Sequence, residues 1–156
     1  MAGIRVYADT SVYGGAFDEE FAEASPTFFG QVRQGRFRLV VSPIVHDELE
    51  DAPDQVRGLF EERRQVGENV DVTAEAERLQ QAYLDANIVA PRWEADALHV
   101  AVATVCRCAL IVSWNFRHIV NFQKVPLYNG VNLAWGYGVV GIHTPQEVIV
   151  YEDEDV

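Results

Sequence analysis

Cysteine is scarce in this chain: Cys106 and Cys108, in a CRC tripeptide, are the only two among 156 residues. Residues two apart point to different sides of a helix, and no further cysteine is present to complete a zinc site. The pair reads as reduced packing residues. Basic residues are also few. Lys and Arg number 12 against 24 Asp and Glu, a formal net charge of −12, which argues against broad, non-specific nucleic-acid binding through a basic surface. Long apolar runs are missing: none reaches the ~18 residues a membrane-spanning helix needs. The opening MAGIRVYADT lacks the basic-plus-apolar pattern of a secretory signal, so a cytoplasmic protein is expected. There is no internal repeat, low-complexity segment or linker.

What remains is ordinary for a globular chain, with 49% hydrophobic and 23% charged residues. One domain over residues 1–150 is expected, long enough to bury a real core. Part of the acidic excess falls in YEDEDV, residues 151–156, which reads as a solvated tail.

The stretch around which the rest is organised runs from Arg92 to Phe122. Trp93 to Cys106 is apolar on nearly all sides at helical length, the mark of a buried helix. Asp96 and His99 share one of its faces, a turn apart. A short β-type run, residues 109–113, follows and leads into Ser113-Trp114-Asn115. Packing alone explains a carboxylate on such a helix poorly.

Upstream, apolar residues alternate over residues 3–9, a strand with Asp9 at its C-terminal end and the helix-opening Thr10-Ser11 beyond it. A short helix to about Ala16 and a second over 19–34 are expected, the latter ending at Gly35. Residues 36–42 form the next strand. Ser42-Pro43 opens a helix to Ala52, and Pro53 breaks it before another over 54–66. Residues 67–72 connect to a Thr73-capped helix reaching Ala86. Beyond the third strand, Phe116 to Phe122 reads as a short helix. Gly130 to Gly138 has no clear pattern, Val139 to Ile142 is a candidate last strand, and Thr144 to Glu147 a capped helical turn.

Short apolar strands separated by helices imply βαβ units: an α/β protein with a central parallel sheet and helices on both faces. In such sheets ligands gather at the C-terminal strand ends. Those ends here carry Asp9, Ser42 and Ser113-Trp114-Asn115.

On a helical wheel of the segment after Pro43, Glu48 falls inside the arc set by Ile44, Val45, Leu49 and Ala52. Asp47 and Glu50 point away, and Asp51 is on the border. Glu48 is therefore the acid expected to face the sheet. Each acid also has a plainer explanation. Asp9 can cap the following helix, Glu48 can cover apolar surface with its stem, and Asp96 can complement a helix dipole. His99 reads as a satisfied core histidine or as support for an acid, Trp114 as packing, and Arg117 with His118 as a surface pair. If Asp9, Glu48 and Asp96 do converge, they repel one another and raise each other's pKa unless a proton or a cation intervenes. An all-oxygen cluster suits a hard ion, Mg²⁺ or Mn²⁺. Such an ion supports in-line displacement at a phosphate.

Asp9 in VYADTSV, Glu48 in SPIVHDELE, Asp96 in EADALHVAVA and the segment LIVSWNFRHI resemble, in order, the four motifs of PIN-domain ribonucleases. They are most similar to VapC-like toxins of bacterial toxin–antitoxin pairs. The segment NGVNLAWGYGVVGIHTPQEVI also resembles the tail of one bacterial PIN subgroup. The resemblance implies a PIN-like α/β/α sandwich and metal-dependent endonucleolytic cleavage of RNA. It implies Asp9, Glu48 and Asp96 as catalytic, metal-binding acids for Mg²⁺ or Mn²⁺, with Asn115 where the family often has a fourth acid. Thr10 and Ser113 match small polar residues of the family's pocket, and Arg117 and His118 are placed to meet a phosphate. A cognate antitoxin and a homodimer are further implications. Asn115 brings a carbonyl oxygen but no charge, which weakens the case for a second metal. Asn115 and the acidic surface keep open a PIN-like domain that binds RNA or protein without cutting. A phosphatase of the haloacid-dehalogenase type needs a second acid two residues after Asp9, where Ser11 stands.

Overall fold

The computed structural model describes residues 3–151, so the tail beyond Tyr151 lies outside the described residues. Five strands form one all-parallel sheet: β1 (Ile4–Ala8), β2 (Phe37–Val41), β3 (Glu68–Asn69), β4 (Leu110–Val112) and β5 (Gly141–His143), in the order β3-β2-β1-β4-β5. The chain runs outward from β1 through β2 to β3, then returns to the other side of β1 for β4. The order therefore reverses at β1, and the crevice beside it is where an α/β sheet offers a ligand site.

Strand alternation sorts the core into two layers. Val6, Ala8, Leu39, Val41 and Val112 face one side, with Val12, Tyr13, Phe28, Phe29 and Phe60 from the covering helices. Tyr7, Val40 and Ile111 face the other, with Leu79, Tyr83, Val100 and Ala103. Helices α1 (Thr10–Gly15), α2 (Ala24–Arg33) and α4 (Asp54–Val66) belong to the first layer. Helices α5 (Ala74–Asp85) and α6 (Glu94–Val105) belong to the second, while α3 (Pro43–Glu48) sits at the rim. Burial on both faces is why these strands read as apolar runs. No described helix is long and apolar enough to cross a membrane.

Several boundaries differ from expectation, each for a local reason. The expected helix over 19–34 begins only at Ala24, after a run of turns; Gly35 does follow its end, at φ +83°. Helix α3 stops at Glu48, and turns carry the chain to Pro53. The connector 67–72 contains the two-residue β3. Phe116 to Phe122 is not a helix but a chain of turns. The Asn115 side chain accepts the His118 N–H, and the Asn121 side chain accepts those of Gln123 and Lys124, so local acceptors replace helical carbonyls. The helix of this region is α7 (Val125–Ala134), opened by Pro126. The last strand is Gly141–His143, and α8 (Pro145–Val148) carries the expected capping box on Thr144. Cys106 is half-buried and Cys108 buried, both free thiols, and burial pushes Cys108 up to about 12.

Candidate active site

Asp9 follows directly on β1, its backbone N–H bonded to the Val112 carbonyl of the neighbouring strand at 3.2 Å. Its side chain does not cap α1, so the simplest structural explanation for an Asp here is absent. Instead the carboxylate is 4% exposed and accepts the Ser11 hydroxyl on Oδ1 at 2.6 Å. Burial, helped by the charge of Glu48, pushes its pKa up to about 6 against the pull of His99, Ser11 and Ser113. Ser113, fully buried after β4, thus sits beside Asp9 and also accepts the Asn115 N–H at 2.9 Å.

Glu48 reaches the same place from the last residue of α3. Its Oε1 takes the Thr10 hydroxyl at 2.7 Å and is bonded to His99 Nε2. About a third of the side chain, 35%, remains open to solvent. Burial opposes its ionisation, but the hydrogen bond and charge of His99 and the Thr10 hydroxyl outweigh it, and the pKa is lowered.

His99 is 1% exposed and lies at the centre. Burial works against its protonation, yet the hydrogen bond to Glu48 and the charges of Asp9, Glu48 and Asp96 raise its pKa on balance. All three acids therefore act on one imidazole. Its other nitrogen, Nδ1, meets the Tyr7 hydroxyl at 2.6 Å, and that hydroxyl meets Ser42 Oγ at 2.7 Å.

Asp96, in the first turn of α6, turns one oxygen to a second histidine: His118 Nδ1 lies 2.8 Å from its Oδ2. The His118 ring packs against Trp93 with centroids 4.7 Å apart. His118 is thus an inward, buried residue, while its neighbour Arg117 is exposed. Trp114 is packing: it stacks on Phe21 at 4.1 Å and donates its Nε1–H to Ser25 at 2.9 Å.

Asp9, Glu48 and Asp96 all belong to the environment of His99, at the strand end where the sheet order reverses. They do not form a ready-made cage. Among the described residues no three His, Cys, Asp or Glu side chains are grouped so as to hold a metal ion. The donor chemistry nonetheless fits a hard cation. Each acid has an oxygen engaged with a protein group (Asp9 Oδ1, Glu48 Oε1, Asp96 Oδ2), with Ser113 also acting on Asp9, and no Lys or Arg among the described residues bonds to any of the three. Mg²⁺ is commonly held by only one or two carboxylates, with water and substrate completing its shell.

Tyr7 and Ser11 were not evident as site residues from sequence, whereas Ser42 was placed at a strand end where ligands gather. For Tyr7 the signal was present, since strand alternation places it on the same side as Asp9. Ser11 reads as a helix-opening residue.

No family model matches the chain, and no curated protein matches it in sequence. Among solved structures it is similar to a chain of VapBC2 from Rickettsia felis, solved bound to a DNA fragment from its promoter. The TM-score is 0.60 and the identity 13%, over 90% of this chain and 98% of that one. At that identity the likeness establishes the fold, a PIN-like α/β/α sandwich.

Proposed function

We propose that the protein is a metal-dependent endoribonuclease, the toxin of a toxin–antitoxin pair, working in the cytoplasm as a homodimer and held in check by an antitoxin. The observation that carries this reading is the buried, uncapped Asp9 at the end of β1, with Glu48 bonded to His99 beside it and Asp96 close enough for its charge to act on the same imidazole. The fold shared with a VapBC2 chain supports the toxin–antitoxin context.

Asp9 and Asp96 would hold Mg²⁺ or Mn²⁺, with Glu48 binding the ion or orienting a water. Such an ion, when bound, lowers the pKa of water and neutralises charge on a phosphate. Ser11 and Ser113 hold the Asp9 carboxylate. Thr10 and His99 hold Glu48 by Oε1, so its second oxygen would be the one to meet the ion or a water. Asn115 adds a neutral oxygen, and the exposed Arg117 supplies a cation for a flanking phosphate. In a chain of net charge −12, attraction of RNA is then local to the site.

A second reading, a domain that binds RNA or protein without cutting, is favoured by Asn115, which adds no charge to the site, and by the acidic composition of the chain. Purified protein incubated with mixed RNAs in Mg²⁺, Mn²⁺ or EDTA, beside Asp9→Asn, separates the two. Metal-dependent cuts absent from the variant support the nuclease. RNA retention without cuts under any condition supports the binding domain.

A further inference from the structure

A continuous buried hydrogen-bond chain runs through the protein toward Glu48. Ser42 Oγ meets the Tyr7 hydroxyl at 2.7 Å, the hydroxyl meets His99 Nδ1 at 2.6 Å, and His99 Nε2 bonds Glu48 Oε1. Exposures of 2% for Ser42, 0% for Tyr7 and 1% for His99 keep this chain dry. Its members come from β1, the end of β2, α6 and α3, so four separate elements fix it. With a neutral imidazole every group is satisfied: the Ser42 hydroxyl donates to Tyr7, Tyr7 donates to Nδ1, and Nε2–H donates to Glu48.

Burying a phenol, an imidazole and a hydroxyl has a desolvation cost that hydrogen bonding mainly cancels. Replacing buried polar pairs by apolar side chains of similar volume is often neutral or stabilising. Folding stability is therefore a weak reason for the chain to end on a carboxylate. Its distinctive product is the orientation of that carboxylate. Thr10 and His99 both bond the same oxygen, Oε1. Among the described residues Oε2 has no hydrogen-bond partner, while a third of the side chain is open to solvent.

We infer that His99 is the positioning residue of Glu48: backed by Tyr7 and Ser42, it locks Oε1 and presents Oε2 alone to the ion or its water. The inference rests on the metal-dependent reading above. It makes Glu48 a single-oxygen contributor, and it makes the rigidity of the site a property of the β1–α6 interior rather than of the acids.

The test is Mn²⁺ affinity, measured by titration calorimetry on the full chain, with metal-free melting temperature recorded in parallel. His99→Leu and His99→Gln remove the imidazole with similar loss of packing, but Gln returns an amide N–H directed at Glu48. His99→Leu is expected to weaken Mn²⁺ binding by about 10–100-fold, the usual effect of removing a group that orients a metal-binding side chain. His99→Gln is expected to recover most of that loss at the same melting temperature. Tyr7→Phe, which keeps the ring, should weaken binding by a smaller factor and serves if the His99 variants do not fold. Equal Mn²⁺ affinity in the unmodified protein and in folded His99→Leu, or in Tyr7→Phe when only that variant folds, overturns the inference. So does equal impairment of the Leu and Gln variants. If the unmodified protein takes up no Mn²⁺, the metal-dependent reading itself fails, an outcome distinct from the others.

Discussion

Ser11 turns its hydroxyl back onto Asp9: Oγ donates to Oδ1 at 2.6 Å while accepting the backbone N–H of Trp114 at 2.8 Å. One side chain thus ties the end of β1 to the loop after β4 and aims the acid between them. The bond stabilises the ionised carboxylate, yet burial wins, and the Asp9 pKa stands at about 6 against an ordinary 3.8.

That balance makes stability depend on pH in a definite direction. The folded protein holds the Asp9 proton more tightly than the unfolded chain. Asp9 therefore favours folding fully below about pH 4 and loses that contribution as pH rises through about 6. A shift of this size amounts to about 3 kcal/mol at pH 7. Asp9→Asn, measured by urea denaturation without divalent ions, should be more stable than the unmodified protein at pH 7 by about 2–3 kcal/mol. The advantage should vanish near pH 4. A constant difference across that range would show that Asp9 is not held in a costly ionised state.

The same balance predicts a metal effect. An ion that binds the folded form alone stabilises it by about 2.7 kcal/mol at a hundredfold excess over Kd. Added Mn²⁺ should therefore raise the melting temperature of the unmodified protein at pH 7 and leave Asp9→Asn unmoved. Equal shifts in both would place the ion elsewhere on this acidic surface.

The sequence was most informative where periodicity and burial agree. Alternation over residues 3–9 located β1, although Val6, Tyr7 and Ala8 are buried in succession because both sheet faces are covered, and the apolar arc that placed Glu48 toward the sheet fits its bonds to His99 and Thr10. It failed where single polar contacts overrule pattern. Asn132 shows why. Gly130 to Gly138 has no clear pattern in sequence, yet its first part lies in α7, where Asn132, fully buried, bonds Thr104, Asn129 and Tyr83. Those partners are remote or featureless in one dimension. The His118–Asp96 pair was hidden likewise, since 22 positions separate its members.

Gly15 carries a packing constraint beneath the site. A Cβ there would stand 2.7 Å from Trp114 Nε1 and 3.0 Å from Ser25 Oγ, the two atoms that bond each other. Both belong to the packed interior, so neither yields easily. Gly15→Ala should cost about 1–3 kcal/mol by crowding, read by denaturant unfolding. If the protein cleaves RNA as proposed, the substitution should also lower that cleavage, because Trp114 leads directly into Asn115. Gly14 meets nothing within 4 Å, so Gly14→Ala is the matched control.

Asn115 offers the most direct test of charge at the site. Its Oδ1 accepts the His118 N–H at 2.9 Å, and its own N–H is held by Ser113 at 2.9 Å, so the backbone there is fixed by two local bonds. Asn115→Asp keeps the shape and the acceptor while adding one negative charge near Asp9 and Asp96. Without an ion the extra repulsion should lower the melting temperature. With Mn²⁺ the same charge turns favourable, and affinity should rise by about tenfold, the equivalent of roughly 1.4 kcal/mol. Calorimetric titration of Mn²⁺ into both proteins, with melting curves in EDTA, reads the two effects separately. A drop in stability with no gain in affinity would mean that Asn115 faces away from the ion, and that the acids of β1, α3 and α6 work without it.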